Sequence, residues 1–264
     1  MRSKRYLKIL KELFLSQYSL MINYRAEIFL WTLSSMLPFL MLSIWSESGA
    51  REIINYSDND LDRYFLGTFI VRQFSIVWVV KAFEVDLLKG KLSSLIIQPI
   101  HPMWRYFSTH IAEQFARLPL VIGIIFIFFI IRPSSFWIPS LNVFIFTLIS
   151  TWFAFLIGFF MHCIISALCF WTEKATALER LVGGPFLFLS GLLAPIDAFP
   201  PIMQKFTYLT PFPYMISLPA RILSGLEKNI FNSIIIEIVW IFLFYIIFRL
   251  TWRFGMKNYT AMGS

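Results

Sequence analysis

Long apolar runs alternate along this chain with short basic, acidic or proline-rich segments. A helix rises ~1.5 Å per residue and a bilayer's hydrocarbon core is ~30 Å thick, so a crossing takes ~20 mostly apolar residues. Six runs meet this requirement and predict helices over residues 28–45, 64–83, 111–131, 141–170, 177–195 and 230–248. The third must begin well before Leu118, because residues 118–131 alone reach only ~21 Å. The fourth is long enough to tilt or to project beyond the bilayer. Pro38 in the first run and Pro185 in the fifth predict bends. The fold class that follows is all-α: a polytopic membrane protein with six transmembrane helices, in which residues 1–264 form one transmembrane domain.

Three segments between or before these runs are not spans. Residues 1–24 predict an amphipathic interfacial helix, with Lys4, Lys8 and Lys11 at i, i+4, i+7 on one face. Leu7, Leu10 and Phe14 hold the same spacing on another face. Residues 84–107, EVDLLKGKLSSLIIQPIHPMWRYF, start too polar and are too broken by Pro99 and Pro102 to cross. Within them, residues 86–97 predict a short helix, and Gly90 offers a close backbone approach. Residues 196–228 are too apolar for a loose loop and too proline-rich for a span. They predict short re-entrant helices, since non-helical backbone at membrane depth must be surrounded by protein or line a water-filled cavity.

Composition agrees. Of 264 residues, 58% are hydrophobic, 19% aromatic and only 14% charged, and the mean hydropathy is +0.71. A soluble domain of this size cannot bury so much apolar surface. The net charge of +8 is spread along the chain, which does not fit a nucleic-acid stripe. With the amino terminus placed inside, the inner segments carry Lys81, Lys89, Lys91, Arg105, Lys174, Arg180, Arg249, Arg253 and Lys257 besides the basic amino-terminal helix. The outer segments carry fewer: Arg51, Arg63, Arg132, Lys205, Arg221 and Lys228. The first outer loop adds Glu47, Glu52, Asp58, Asp60 and Asp62. The positive-inside rule then puts both termini in the cytoplasm of a plasma (inner) membrane, and an even number of spans satisfies that. The charge is read as topology and contact with anionic lipid. No cleavable signal peptide is expected, because charges interrupt the first 26 residues throughout.

Candidate chemistry within the spans is sparse. Arg72 and Glu237 lie at similar depths, ~10–12 Å from the outer ends of their spans, and could pair. Glu113 and Arg117 stand at i, i+4 in the favourable order. These two and His162 are expected to be packing or interfacial groups, since no chain of carboxylates crosses the bilayer. Cys163 and Cys169, in one apolar run, fit neither a redox motif nor a zinc site, and no metal site is expected. The sequence contains no phosphate loop of the G-x-x-x-x-G-K-[ST] type, no H-E-x-x-H and no G-x-S-x-G.

The order of elements, with Lys89-Gly-Lys-Leu92 followed by Leu95, Pro99 and Pro102, and the closing Trp252-Arg-Phe-Gly-Met-Lys-Asn-Tyr259, resembles the membrane-spanning permease of type-2 ABC exporters, the ABC-2 permeases. The resemblance implies that residues 1–24 are a connecting helix. It implies that the first inner loop couples to an ATPase through Asp86, Gly90, Lys91 and Leu92. It also implies that the short fifth helix and the re-entrant segment gate the outer exit, with Pro195, Asp197, Phe199 and Pro200 as candidates. The chain would not be an enzyme and would hold no cofactor, ATP being bound by separate ATPase subunits. Six spans make half a pathway, so a second permease, identical or related, is expected. A non-transporting membrane subunit and a secondary transporter are the alternative readings. The Phe- and Trp-rich spans suit an amphipathic or lipid-linked substrate and equally suit plain lipid-facing packing.

Overall fold

The structure is a computed structural model that describes residues 2–47, 56–172 and 174–259, with side chains from residue 8 onward. Lys4, Leu7, Arg51 and Glu52, named above, therefore lie outside the described side chains. The described residues are helical, with no strand among them.

Helix α1 (Arg2–Asn23) lays one face along α7 (Met103–Ile131). Phe14 meets Phe115 with ring centroids 5.7 Å apart, and the Thr109 hydroxyl donates to Gln17 Oε1 at 3.1 Å. Leu10, Leu13 and Phe14 are half-buried there, while Lys8 and Lys11 are exposed. The amphipathic pattern is thus spent partly on a protein neighbour.

The first apolar run forms α2 (Arg25–Ser34) and α3 (Leu37–Glu47), interrupted at Ser35 and Met36. Pro38 sits in the first turn of α3, where its missing N–H leaves no helical bond unmade. The second run differs from its prediction. It is two helices, α4 (Asp58–Ser75) and α5 (Val79–Leu88), separated by the non-helical residues 76–78. A capping box opens α4: Ser57 Oγ accepts from the Asp60 amide and Asp60 accepts from the Ser57 amide. After α5 comes the short α6 (Lys91–Ile96). The single helix expected over 86–97 is divided at Gly90, whose φ of +69° belongs to the left-handed region open to glycine.

Helices α8 (Leu141–Ala167) and α9 (Cys169–Thr172) form the fourth run. Helix α10 (Thr176–Leu189) is 14 residues long, about 21 Å, and none of its residues is buried. A 3-10 turn at Ile196–Ala198, helix α11 (Pro201–Tyr208), a 3-10 turn at Phe212–Met215 and helix α12 (Ser217–Ser224) follow. The chain ends in α13 (Ile230–Asn258). Five helical stretches are long and apolar enough to cross a membrane: Arg25–Glu47, Asp58–Leu88, Met103–Ile131, Leu141–Thr172 and Ile230–Asn258.

The core lies where α4, α8 and α12 meet. Phe65, Phe69, Phe155, Ile157 and Ile222 have no exposed surface. Helix α12 sits deep because α4 offers it Gly67: a Cβ there would approach the Ala220 carbonyl oxygen to 3.2 Å. At Gly191, φ +85°, a Cβ would lie 2.5 Å from the Tyr64 hydroxyl oxygen. Only glycine lets Tyr64 donate to the Gly191 carbonyl at 2.8 Å, and this bond ties α4 to the segment between α10 and α12.

Candidate functional site

The break between α4 and α5 frees backbone polar groups within an apolar helix pair, where each unpaired group would cost several kcal/mol. Helix α7 supplies their partners. The Trp78 amide donates to His110 Nε2 at 3.1 Å. Gln114 Nε2 donates to the Phe74 carbonyl at 2.6 Å, and Arg117 donates to the Gln73 carbonyl at 3.3 Å. The Trp78 indole N–H donates to Glu113 at 2.9 Å, and Glu113 is ion-paired with Arg117. Because an amide N–H can only donate, His110 Nε2 accepts and its Nδ1–H faces the Tyr106 carbonyl at 2.7 Å. Positions 110, 113, 114 and 117 are i, i+3, i+4 and i+7, one face of one helix. The expected packing role of Glu113 and Arg117 therefore has a definite form: they clamp the broken second span. His110 and Gln114, which complete the clamp, carry a polar stripe at helical spacing inside an apolar run.

Below the break, α5 and α6 form a compact helix–turn–helix. Leu87, Leu92 and Leu95 are buried. Lys89 and Lys91 are exposed, as are Val85, Leu88 and Ile97, the last at 85%. Of the residues the sequence singled out, Lys91 faces outward and Asp86 accepts from the Tyr106 hydroxyl at 2.8 Å. Gly90 makes the turn between α5 and α6. Leu92 is fully buried and holds the loop from within. Glu84 reaches across to accept from the amides of Ala175 and Thr176 at 2.8 and 3.0 Å, meeting the free N–H groups at the start of α10.

The end of α13 packs on this loop. Trp252 meets Phe83 and His101 with ring centroids 5.9 and 4.5 Å apart. The Tyr259 and Ser93 hydroxyls are hydrogen-bonded at 2.9 Å. Burial, and secondarily the Arg249 charge, pulls the His101 imidazole down to about 4, so it is neutral near pH 7.

At the other end of α13, Asp197 accepts hydrogen bonds from the Tyr56 hydroxyl and from Arg221. Arg221 also donates to Glu227 at 3.3 Å. Burial alone would lower the Arg221 guanidinium, but Tyr56, Tyr208, Asp197 and Glu227 outweigh it and hold it above its ordinary value. Pro195 precedes this turn and Phe199 ends it, its carbonyl accepting from Gln204 Nε2 at 2.8 Å. Pro200 caps α11. Nearby, Trp45 Nε1 donates to the Leu193 carbonyl at 3.0 Å, and Arg132 bridges to Asp62 at 2.8 Å. Sequence reasoning placed Asp197 here and missed Arg221, which read only as an outer charge.

The structure does not bring Arg72 and Glu237 together. Glu237 is fully buried and accepts from Ser150 Oγ of α8 at 2.7 Å, and no ion pair joins it to Arg72 among the described residues. Matching depth did not imply matching face. His162 stands 3.6 Å from Glu179, linking α8 to α10. Cys163 and Cys169 are both buried and free.

Several long apolar helices, a broken second span held by a neighbour, and the short buried helix α12 define a multi-pass membrane protein. Residues 39–263 match the family described as ABC-2 family transporter protein. The chain belongs to that family: it is a membrane component of ABC transport, with the transmembrane helices of a permease. No curated protein matches it.

Proposed function

We propose that this chain is the permease subunit of an ATP-driven exporter, coupled to separate ATPase subunits and completed by a second permease, identical or related. On this reading α10 is a sixth, short crossing and both termini are cytoplasmic in the inner membrane. Helix α1 is the connecting helix at the inner surface. Residues 84–107 are the coupling loop, and residues 196–228 re-enter from outside to gate the exit through the Asp197–Arg221 cluster.

One observation carries the reading. The α5–α6 loop is rigid from within, through Leu87, Leu92 and Leu95, and presents an apolar and basic surface of Val85, Leu88, Ile97, Lys89 and Lys91 outward. It is joined through the Trp78 break to the spans above it. A soluble motor that grips such a loop moves the clamp on α7 and the core helix α4 rather than a slack tether. The uncommitted apolar surface suits a groove on a partner, while the lysines suit an acidic rim.

Co-purification from membranes tests it. The wild-type chain co-expressed with an ABC ATPase subunit of its own transport system retains that subunit in detergent. Leu88→Asp with Ile97→Asp loses it while unfolding at the wild-type temperature. Retention by the double variant, or no ATPase bound to the wild type, contradicts the reading.

A further inference from the structure

We propose that the groove between α7, α8 and α13, beside the α6 loop, binds one anionic phospholipid, its acyl chain in the groove and its phosphate on Arg249. The cavity measures about 410 Å³, and Phe107, Trp152, Leu156, Phe159, Tyr245 and Phe248 line it. These six side chains are aromatic or aliphatic, with the Trp152 indole N–H and the Tyr245 hydroxyl as their only polar groups, so the groove suits a hydrocarbon chain better than water.

Its rim is cationic. Arg249 lies at the cavity edge with its guanidinium 6.0 Å from the Tyr245 ring centroid. No carboxylate is ion-paired with it among the described residues. Arg253 and Lys257 follow at i+4 and i+8 on the same face, exposed and likewise without an ion pair among the described residues. His101, which also lines the cavity, is neutral near pH 7 and adds no charge.

Depth agrees with this assignment. From Ile230 to Arg249 the helix climbs about 28 Å, close to the hydrocarbon thickness. Arg249 therefore stands at headgroup level while the groove lies beside the acyl chains. A basic rim over an apolar slot between spans complements an anionic headgroup specifically. The inference goes beyond the exporter reading and needs no ATPase, so the two fail independently.

Native mass spectrometry of the purified full-length chain tests it, with phosphatidylglycerol and phosphatidylcholine of identical acyl chains as probes. The wild type retains one phosphatidylglycerol at roughly fivefold higher occupancy than phosphatidylcholine, the worth of about one surface cation near anionic lipid. Arg249→Gln reduces phosphatidylglycerol to the phosphatidylcholine level, and Arg249→Lys restores most of the difference. Leu156→Trp, which fills the groove, lowers both lipids. Arg180→Gln, an exposed cation elsewhere, changes neither. Equal retention of the two lipids by the wild type overturns the proposal, as does an unchanged ratio in Arg249→Gln. A shift of Arg249→Gln from dimer to monomer at unchanged lipid retention assigns the face to a second copy and also overturns it.

Discussion

Gly255 and Phe170 pack so closely that a Cβ at position 255 would collide with the Phe170 ring at Cδ2. Phe170 stacks in turn on Trp252 and Tyr259, with centroids 5.3 and 5.7 Å apart. The closing segment of the chain is thereby seated on the end of the fourth span and, through Tyr259 and Ser93, on the α6 loop. Gly255→Val forces Phe170 off its site. It should cost about 1–3 kcal/mol, the usual range for overpacking, and lower the unfolding temperature in detergent. Gly123→Val is the control, since nothing lies within 4 Å of a Cβ there.

The clamp on the second span makes a sharper prediction. Gln114→Leu leaves the Phe74 carbonyl without its partner at a buried break, for a loss of about 1–3 kcal/mol. Gln114→Glu replaces the donor with an acceptor facing a carbonyl oxygen and should cost at least as much. Chemical denaturation in mild detergent reads both. If the two variants match the wild type, the side chain of Gln114 does not hold the break.

Acidification should weaken the packing around His101. Its folded value, about 4, lies below the ordinary 6.5, so the unfolded chain binds the extra proton first. The stabilisation is complete above about pH 6.5 and is lost as pH falls through 4. Thermal unfolding measured from pH 7 to 4 should show a steeper decline in the wild type than in His101→Phe, which keeps the ring contact with Trp252 and cannot titrate. Parallel declines would assign the acid sensitivity to other groups.

At the opposite end, Asp197→Asn removes the charge that Arg221 shares with Glu227 while keeping a hydrogen-bonding side chain of the same size. Arg221→Met leaves both Asp197 and Glu227 without their cation. We expect the second variant to lose more stability than the first, by about 1–3 kcal/mol, and both to transport less than the wild type in vesicles. Full transport by Arg221→Met would remove this cluster from the gate.

Much of this architecture was legible in the pattern of apolar runs, because helix length against bilayer thickness is a strong constraint. The third, fourth and last runs are helical where the pattern put them, and the first is so apart from its interruption at Ser35 and Met36. What the pattern could not show was direction around each helix. Arg72 and Glu237 share a depth, yet Glu237 turns to Ser150 on α8. The break at residues 76–78 was hidden because Ile76 and Val77 are as apolar as the helices on either side; its trace is the polar stripe from His110 to Arg117 on a different helix. Leu92 was named as a coupling contact through the resemblance alone, whereas its own side chain fills the loop's interior. Asp197 was named only through the resemblance, as a candidate for the outer gate; its partner Arg221 lies 24 positions later, and no local spacing links the two.

The most direct test of the coupled-exporter account is photo-crosslinking in membranes. A benzoylphenylalanine is placed at Ile97 on the α5–α6 loop or at Ile202 on α11, positions 85% and 84% exposed. The account predicts an ATPase adduct from position 97 and none from position 202. An adduct from position 202, or none from position 97 in a complex that still hydrolyses ATP, would contradict it.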